Sequence, residues 1–331
     1  MGLTEMVAPR GTRRRQWAGS MVKALRSAGR ASGLMGENDT LKKSWARHDP
    51  AALEEYLVNG YQNPRINAQS MLMRHVLVRE LFDSEFDPLM DEELKHCVRG
   101  TKALQKRAAE LDVKMRSYLD PGKRAQVREV SEVIADWEDT YEKRWAESLQ
   151  GRTAGPLRVL EFACGSANDY RFIDSYGVGR FLDYTGVDLN DANIDNARRR
   201  FPDVDFQVGS VLDLPFADRS FDYVIASDIF EHLSLEAMEQ AMHQAMRLAG
   251  KTIVITFFSM SEIPEHVVKP VRNYHWNRLS ASKVRQILEA DFGPVEVIRV
   301  RDLMDKEYGF RDSYNPNAWT FIARREDAPQ P

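Results

Sequence analysis

Two acidic residues, each closing an apolar run, are the side chains of this chain best placed to do chemistry. Glu161 ends Val159-Leu160-Glu161 just before the small-residue turn Phe162-Ala163-Cys164-Gly165-Ser166-Ala167. Asp188 ends Thr185-Gly186-Val187-Asp188-Leu189 about one strand-helix unit later. A carboxylate at the carboxyl end of a parallel strand faces the crevice where open α/β sheets bind ligands, so the first acid suits a cation. The second suits the paired hydroxyls of a ribose. A glycine-bearing turn after a strand also serves dinucleotide enzymes, whose helix N-terminus and bare amides hold a pyrophosphate. Here Glu161 would repel that anion, which argues for a positively charged nucleoside instead.

A third segment adds specificity. It begins Val208-Gly209-Ser210-Val211-Leu212-Asp213-Leu214-Pro215-Phe216 and continues, after a turn, as Ser220-Phe221-Asp222-Tyr223-Val224-Ile225-Ala226-Ser227. The three segments, in this order and at these separations, resemble the class I, seven-strand S-adenosylmethionine-dependent methyltransferases. The Leu-Pro-Phe turn and the Ser-Phe-Asp entry are similar to those of the family's small-molecule branch. The resemblance covers roughly Leu157 to Arg325, about half the chain. It implies S-adenosylmethionine as cofactor, with Glu161 toward the methionine end and Asp188 toward the ribose. Ala163, Gly165, Asn168, Leu189, Ser210, Val211 and Ser227 would surround the rest of the ligand. The sequence departs from the family pattern at Ala163 and Ala167, where glycine is usual, and at Ser210, where an aspartate usually meets the adenine amino group. Alanine is tolerable there if the backbone has φ below zero. Ser210 or the backbone around Val211 would replace the aspartate; Asp213 is a second substitute, with an exposed loop acid as its plain alternative.

Methyl transfer needs alignment of a nucleophile with the carbon-sulfur bond, exclusion of water and, for a hydroxyl or protonated amine, a base near neutral pKa. His232, in Asp228-Ile229-Phe230-Glu231-His232-Leu233 after the fourth strand, is the candidate base, with Glu231 to orient it. A helix-capping or pocket-shaping role for His232 stands beside that reading. The segment from Ser259 to Arg278 is long for a connection and has little periodicity, which suggests a functional or mobile loop. It supplies His275 as a second catalytic candidate, with His266, Asn273, Tyr274, Trp276 and Asn277 able to enclose a substrate. Trp276 serves equally well as a core anchor. The acids and histidines show no metal-ligand spacing, so no metal is expected.

The elements that must position these groups read as α/β: a doubly wound, seven-strand, mostly parallel sheet with an N-terminal all-helical domain. Strands are expected at Arg158 to Ala163, Tyr184 to Asp188, Asp205 to Gly209, Asp222 to Ser227 and Lys251 to Phe257. A helix near Ser280 to Ala290 follows. The family resemblance implies that Val295 to Val300 and Ala318 to Ala323 close the sheet as a hairpin with the last strand antiparallel. Upstream, Ile66 to Phe82 is apolar nearly all round and reads as a buried helix. Just before it, Tyr61-Gln62-Asn63-Pro64-Arg65-Ile66-Asn67 is a polar turn able to present Asn63, Arg65 or Asn67, or simply to cap the helix. Cys97, Thr101, Leu104, Ala108, Leu111, Met115 and Tyr118 form one helical stripe, stopped by Asp120-Pro121-Gly122. A second stripe, Val127, Val130, Ile134, Trp137, Tyr141 and Trp145, runs back as an antiparallel partner. That helical hairpin could dimerise the chain, cover the cofactor site or pack within its own domain. The expected division is 1–40, a basic tail or short amphipathic helix bearing Trp17, Met21 and Leu25; 41–150, the helical domain; and 151–331, the cofactor-binding domain.

Composition sets the remaining bounds. The chain has 331 residues, enough for two domains, and a net charge of -4 that exerts no global pull on nucleic acid or anionic membrane. Its two cysteines, Cys97 and Cys164, lie far apart in the sequence, which argues against a disulfide framework or a cysteine zinc site and fits a reducing cytoplasm. No stretch approaches the length of a membrane span. Three readings follow, headed by O- or N-methylation of a small molecule. The second is an RNA or protein methyltransferase that grips a macromolecule with the helical half. It lacks an Asn-Pro-Pro-Tyr-like motif and a cysteine placed for pyrimidine attack. The third is a non-catalytic assembly protein, against which Glu161, Gly165 and Asp188 argue.

Overall fold

The computed structural model describes residues 66–113, 123–174, 176–271, 274–311 and 315–326. The basic tail, most of the polar turn before Ile66, Met115, Tyr118, the Asp120-Pro121-Gly122 stop and Asn273 lie outside these residues.

Seven strands build the main sheet: β1 (Leu157–Phe162), β2 (Leu182–Asp188), β3 (Asp205–Val208), β4 (Phe221–Ser227), β5 (Ala249–Phe257), β6 (Val295–Arg299) and β7 (Trp319–Arg324). They lie in the order β6-β7-β5-β4-β1-β2-β3. The first five are parallel to one another, whereas β7 runs antiparallel to both β5 and β6. The strand order reverses between β1 and β4, so a crevice opens beyond their carboxyl ends.

Alternation along the strands divides the core. Leu160, Phe162, Val224, Ala226, Ile253 and Ile255 join one cluster with α7 (Leu235–Leu248) and α8 (Ala281–Asp291). Val159, Tyr223, Ile225 and Val254 face the other way, because successive strand residues point to opposite faces. On that second face, α6 (Asp191–Arg200) and the other helix between strands are joined by the N-terminal ones: α1 (Ala68–Phe82), α2 (Asp87–Glu110), α3 (Arg124–Glu132) and α4 (Ala135–Leu149). Met73 and Leu77 of α1 and Tyr141, Trp145 and Leu149 of α4 share one cluster with Val159, Ile225 and Val254. The helical half therefore covers a face of the sheet.

Arg74 fixes that cover to α5 (Asn168–Asp174), the short helix after the Ala163–Ala167 turn. Its fully buried guanidinium pairs with Glu93 of α2, donates to the Phe172 carbonyl at 3.4 Å and lies 4.2 Å from the Tyr176 ring centroid. Burial alone would raise Glu93, but Arg74 and His75 hold its carboxyl down at about 2. Removing one partner of such a pair leaves a buried charge uncompensated.

Three helical expectations need correction. The helix that carries the stripe from Cys97 ends at Glu110, after which Asp112 takes a φ of 47° and turns the chain toward buried Val113. The second stripe is two helices, because the chain tightens at Val133 and Ile134, which bond back to Val130 and Ser131. This break lets Val127, Val130 and Ile134 pack on Leu104 and Val113 while Tyr141 and Trp145 reach the sheet. Finally, the closing antiparallel pair is not a simple hairpin. Between β6 and β7 stands α9 (Val300–Tyr308), whose Val300 and Met304 pack on Ala68, Met71 and Cys97.

Candidate active site

The turn after β1 is held in an uncommon conformation. Ala163, Gly165 and Ala167 have φ of 54°, 59° and 62°. The condition that the two alanines sit at negative φ is thus overturned, and each accepts a left-handed strain of roughly 1–2 kcal/mol. Surrounding bonds impose it: Cys164 N–H donates to the Val187 carbonyl (3.1 Å), Ala167 N–H to the Cys164 carbonyl (3.0 Å), and Arg200 to the Ser166 carbonyl. A Cβ built on Gly165 would meet no atom within 4 Å. That face of the turn is open, as a ligand approaching bare backbone requires.

Asp188, at the tip of β2, braces this turn. One carboxylate oxygen accepts from Gly165 N–H at 3.0 Å; the other accepts from Asn190 N–H at 2.7 Å and the Asn193 amide at 3.3 Å. Its side chain therefore joins the tips of β1 and β2 in addition to facing the crevice, a role the sequence did not reveal.

Across β1 the carboxyls are held differently. Glu161 is buried and accepts from the Tyr184 hydroxyl. Burial first, and then the charges of Asp169 and Asp188, push it well above the usual carboxylate range. Asp169, in the first turn of α5, is raised by burial against the pull of hydrogen bonds from Ser227 and from Ser70 of α1, the latter at 3.1 Å. Asp228 follows β4 with a φ of 50°, its N–H bonded to the Thr256 carbonyl at 3.1 Å. Water reaches it, but the walls of the crevice strip its hydration and Glu231 and Asp169 add like charge, so it too is raised well above normal. Among the described residues, no basic side chain pairs with Glu161, Asp169 or Asp228.

The wall beyond β4 is the turn Phe230–His232 together with the 259–278 segment. That segment is ordered by short pairings, Met260–Ser261 with Leu279–Ser280 and Pro270–Val271 with Tyr274–His275. Fully buried Asn277 ties it down: its amide donates to the Leu233 carbonyl (2.8 Å), its backbone N–H to the Glu231 carbonyl (2.9 Å), and its side-chain oxygen accepts from Lys269 N–H (3.0 Å). Glu231 does not hydrogen-bond His232. Its carboxylate turns to the N–H groups of Phe258 and Ser259, at 2.9 and 3.3 Å, because these amides follow β5 without a strand partner. His232 instead has Nδ1 3.4 Å from the His275 carbonyl, with its ring 5.1 Å from Trp276. A carbonyl can only accept, so this contact puts the proton on Nδ1 and the basic lone pair on Nε2. Burial lowers the His232 pKa despite the opposing pull of Glu231. Trp276 is half-buried, with its ring against that of His232 and outside the buried core clusters.

The structure thus brings Glu161, Gly165, Asp188 and Ser227 together at the tips of β1, β2 and β4, linked through Asp169 and the Gly165 N–H, while His232 stands in the turn that follows β4 and meets the backbone of His275. Leu189 and Asn168 lie half-buried beside the two strand tips. Ser210 uses its hydroxyl to accept from Leu212 N–H at 3.3 Å, and the Val211 side chain is in the core. Asp213 is exposed. Sequence reasoning passed over Asp169, Asp228 and Ser70. Asp228 had a legible signal, being the first acid after an apolar strand; Ser70 had none. A pocket of about 410 Å³ lined by Glu80, Pro156, Asp222 and Lys251 lies at the amino ends of β1, β4 and β5, the edge opposite the crevice. Among the described residues no cluster of His, Cys, Asp and Glu could hold a metal, and no helix is long and apolar enough to cross a membrane.

Residues 159–251 match the family model described as a methyltransferase domain. A Mycolicibacterium smegmatis protein named "Probable S-adenosylmethionine-dependent methyltransferase" is 28% identical over 148 residues, 43% of this chain and 54% of its own length. Phthiotriol/phenolphthiotriol dimycocerosates methyltransferase 1 of Mycobacterium ulcerans is 32% identical over 142 residues, 39% of this chain and 50% of its own. The fatty-acid O-methyltransferase of Mycolicibacterium smegmatis is 29% identical over 147 residues, 43% of this chain and 48% of its own. The chain spans about half the length of these relatives.

Proposed function

Starting from a sheet half that is a class I S-adenosylmethionine-dependent methyltransferase domain, we propose that the chain methylates an oxygen or nitrogen of a small, largely apolar molecule. The observation that carries this reading is the crevice itself. Glu161, Asp169 and Asp228 lie close enough to act on one another's charge, at strand tips and a helix start that flank the turn of Gly165, without a basic partner among the described residues. Acids gathered in that condition, with Glu161 buried, Asp169 half-buried and Asp228 open to solvent, call for a cation, and the donors and acceptors present fit a sulfonium nucleoside bearing an ammonium.

When bound, S-adenosylmethionine supplies a methyl group already made electrophilic by its sulfonium. Asp188 and the Gly165 backbone define the ribose end, with Leu189, Asn190 and the Ser210–Val211 loop continuing toward the base. Glu161 and Asp169 define the amino-acid end, flanked by Ala163, Asn168 and Ser227. On the acceptor side Nε2 of His232 takes the proton that leaves as the new bond forms, being neutral and unprotonated near pH 7. Trp276 beside His232, and α1 held against Asp169 through Ser70, would limit the access of water when the ligands are bound. An apolar acceptor is supported by the relatives, whose names describe dimycocerosate and fatty-acid substrates. It is also supported by the crevice's own negative charge, which opposes entry of a polyphosphate.

Calorimetry tests the cofactor: S-adenosylmethionine and S-adenosylhomocysteine should bind and NAD should not, and the reverse result would end the proposal. Methyl transfer from radiolabelled cofactor should then label a long-chain alcohol, fatty acid or quinol in preference to tRNA or a basic peptide. Labelling confined to the macromolecules would overturn the small-molecule reading.

A further inference from the structure

We propose that Asp169 receives the ammonium of the cofactor's amino-acid end, and that Ser70, brought in by the helical half, is its positioning residue. The inference rests on the S-adenosylmethionine reading and adds to it two residues from outside the β1 and β2 motifs.

The sheet order supplies the direction. Asp188 marks the ribose at the tip of β2, and β4 lies on the other side of β1. Asp169 is hydrogen-bonded to Ser227 at the tip of β4, so a ligand whose sugar sits at Asp188 carries its opposite end to Asp169. The partners of Asp169 among the described residues are two hydroxyls, Ser70 Oγ at 3.1 Å and Ser227. Hydroxyl donors orient a carboxylate without neutralising it. An ammonium has three N–H donors and one positive charge, the complement of a carboxylate with Glu161 and Asp228 for neighbours.

Ser70 is well fixed for this task. Its N–H is capped by Asn67 Oδ1 at 3.1 Å in the first turn of α1. The adjacent Gln69 amide donates to the carbonyls of Phe257 (3.2 Å) and Trp319 (3.1 Å), which pins α1 across the ends of β5 and β7. One turn later Arg74 holds the same helix to Phe172 of α5, the helix that carries Asp169. The hydroxyl and the carboxyl are therefore set by a common frame although 99 residues separate them.

Two ligands separate this role from a merely structural one. S-adenosylhomocysteine retains the amino-acid end; 5′-methylthioadenosine shares the nucleoside and lacks that end. With the full chain, Asp169→Asn is expected to weaken S-adenosylhomocysteine roughly 10- to 100-fold while 5′-methylthioadenosine changes less than about twofold. Ser70→Ala should show the same selectivity at about 3- to 10-fold, and Ser70→Thr should restore binding by returning a hydroxyl. Equal loss of both ligands, or a lower thermal midpoint with both affinities unchanged, would overturn the assignment. A wild-type chain that binds neither ligand would instead overturn the cofactor reading on which it stands.

Discussion

The two sides of β1 treat acidic side chains in opposite ways. At the β2 tip, Asp188 accepts three N–H groups and is built into the backbone of two turns. At the β1 and β4 tips, Glu161 and Asp169 accept, among the described residues, only from hydroxyls, and solvent-reached Asp228 is raised by partial desolvation and by two acidic neighbours. A carboxylate supported by N–H donors is stable without a ligand and can serve as scaffold. Carboxyls that are desolvated and mutually repelling are poorly satisfied until a cation arrives, so their unfavourable state is a sign of function.

Removing the scaffold acid should have the largest effect. Asp188→Ala leaves the Gly165, Asn190 and Asn193 donors without their acceptor and is expected to lower stability by about 3 kcal/mol, with loss of detectable cofactor binding. Denaturant titration and calorimetry measure both. If affinity falls while the unfolding free energy is unchanged, Asp188 belongs with the ligand acids and the contrast disappears.

Glu161→Gln probes the other side and should separate stability from binding. Glutamine still accepts from the Tyr184 hydroxyl but carries no charge to desolvate, so the ligand-free chain should have a higher thermal midpoint near neutral pH. Cofactor affinity should fall roughly 10- to 100-fold, the worth of one charge-assisted contact. A variant that is both less stable and unchanged in affinity would make Glu161 structural.

Much of this contrast could be anticipated where the determinants are local. Strand limits from Arg158 to Ala323 fall within a few residues of their sequence positions because apolar period and turn residues act over short distances. Glu161 and Asp188 were legible for the same reason: each follows its strand directly. What could not be read depends on contacts between distant segments. Ser70 meets Asp169 only because α1 crosses the sheet edge, and the helix from Val300 exists to bury Val300 and Met304 against α1 and α2. Likewise, alanine at positions 163 and 167 gave no indication of left-handed φ, since alanine usually avoids it. Glu231 looked like an orienter of His232 from adjacency alone; the unpaired amides of Phe258 and Ser259 decided otherwise.

The smallest expected effect, and the most direct reading of the contrast, is the pH dependence of cofactor stabilisation. Glu161, Asp169 and Asp228 have folded-state pKa values above their unfolded ones. Protonation is thus favoured by folding, and their contribution to the ligand-free chain is full below the ordinary carboxylate range and is lost as pH rises through the raised values. Cation binding has the opposite sign. It needs the charged forms, so it is strongest above the raised values and must displace protons below them. Each displaced proton changes the binding free energy by up to about 1.4 kcal/mol per pH unit. The rise in thermal midpoint produced by S-adenosylmethionine should therefore shrink as pH is lowered from about 7.5 to about 5, and Glu161→Gln or Asp169→Asn should each flatten that slope. His232 adds to the trend only at the acidic end, because its lowered pKa keeps it neutral until below its ordinary value. A midpoint shift that stays constant across this range would mean that the three carboxyls are already ionised without ligand. The β1 and β4 tips would then be as settled as the β2 tip, and the distinction between scaffold and receptor acids would not hold.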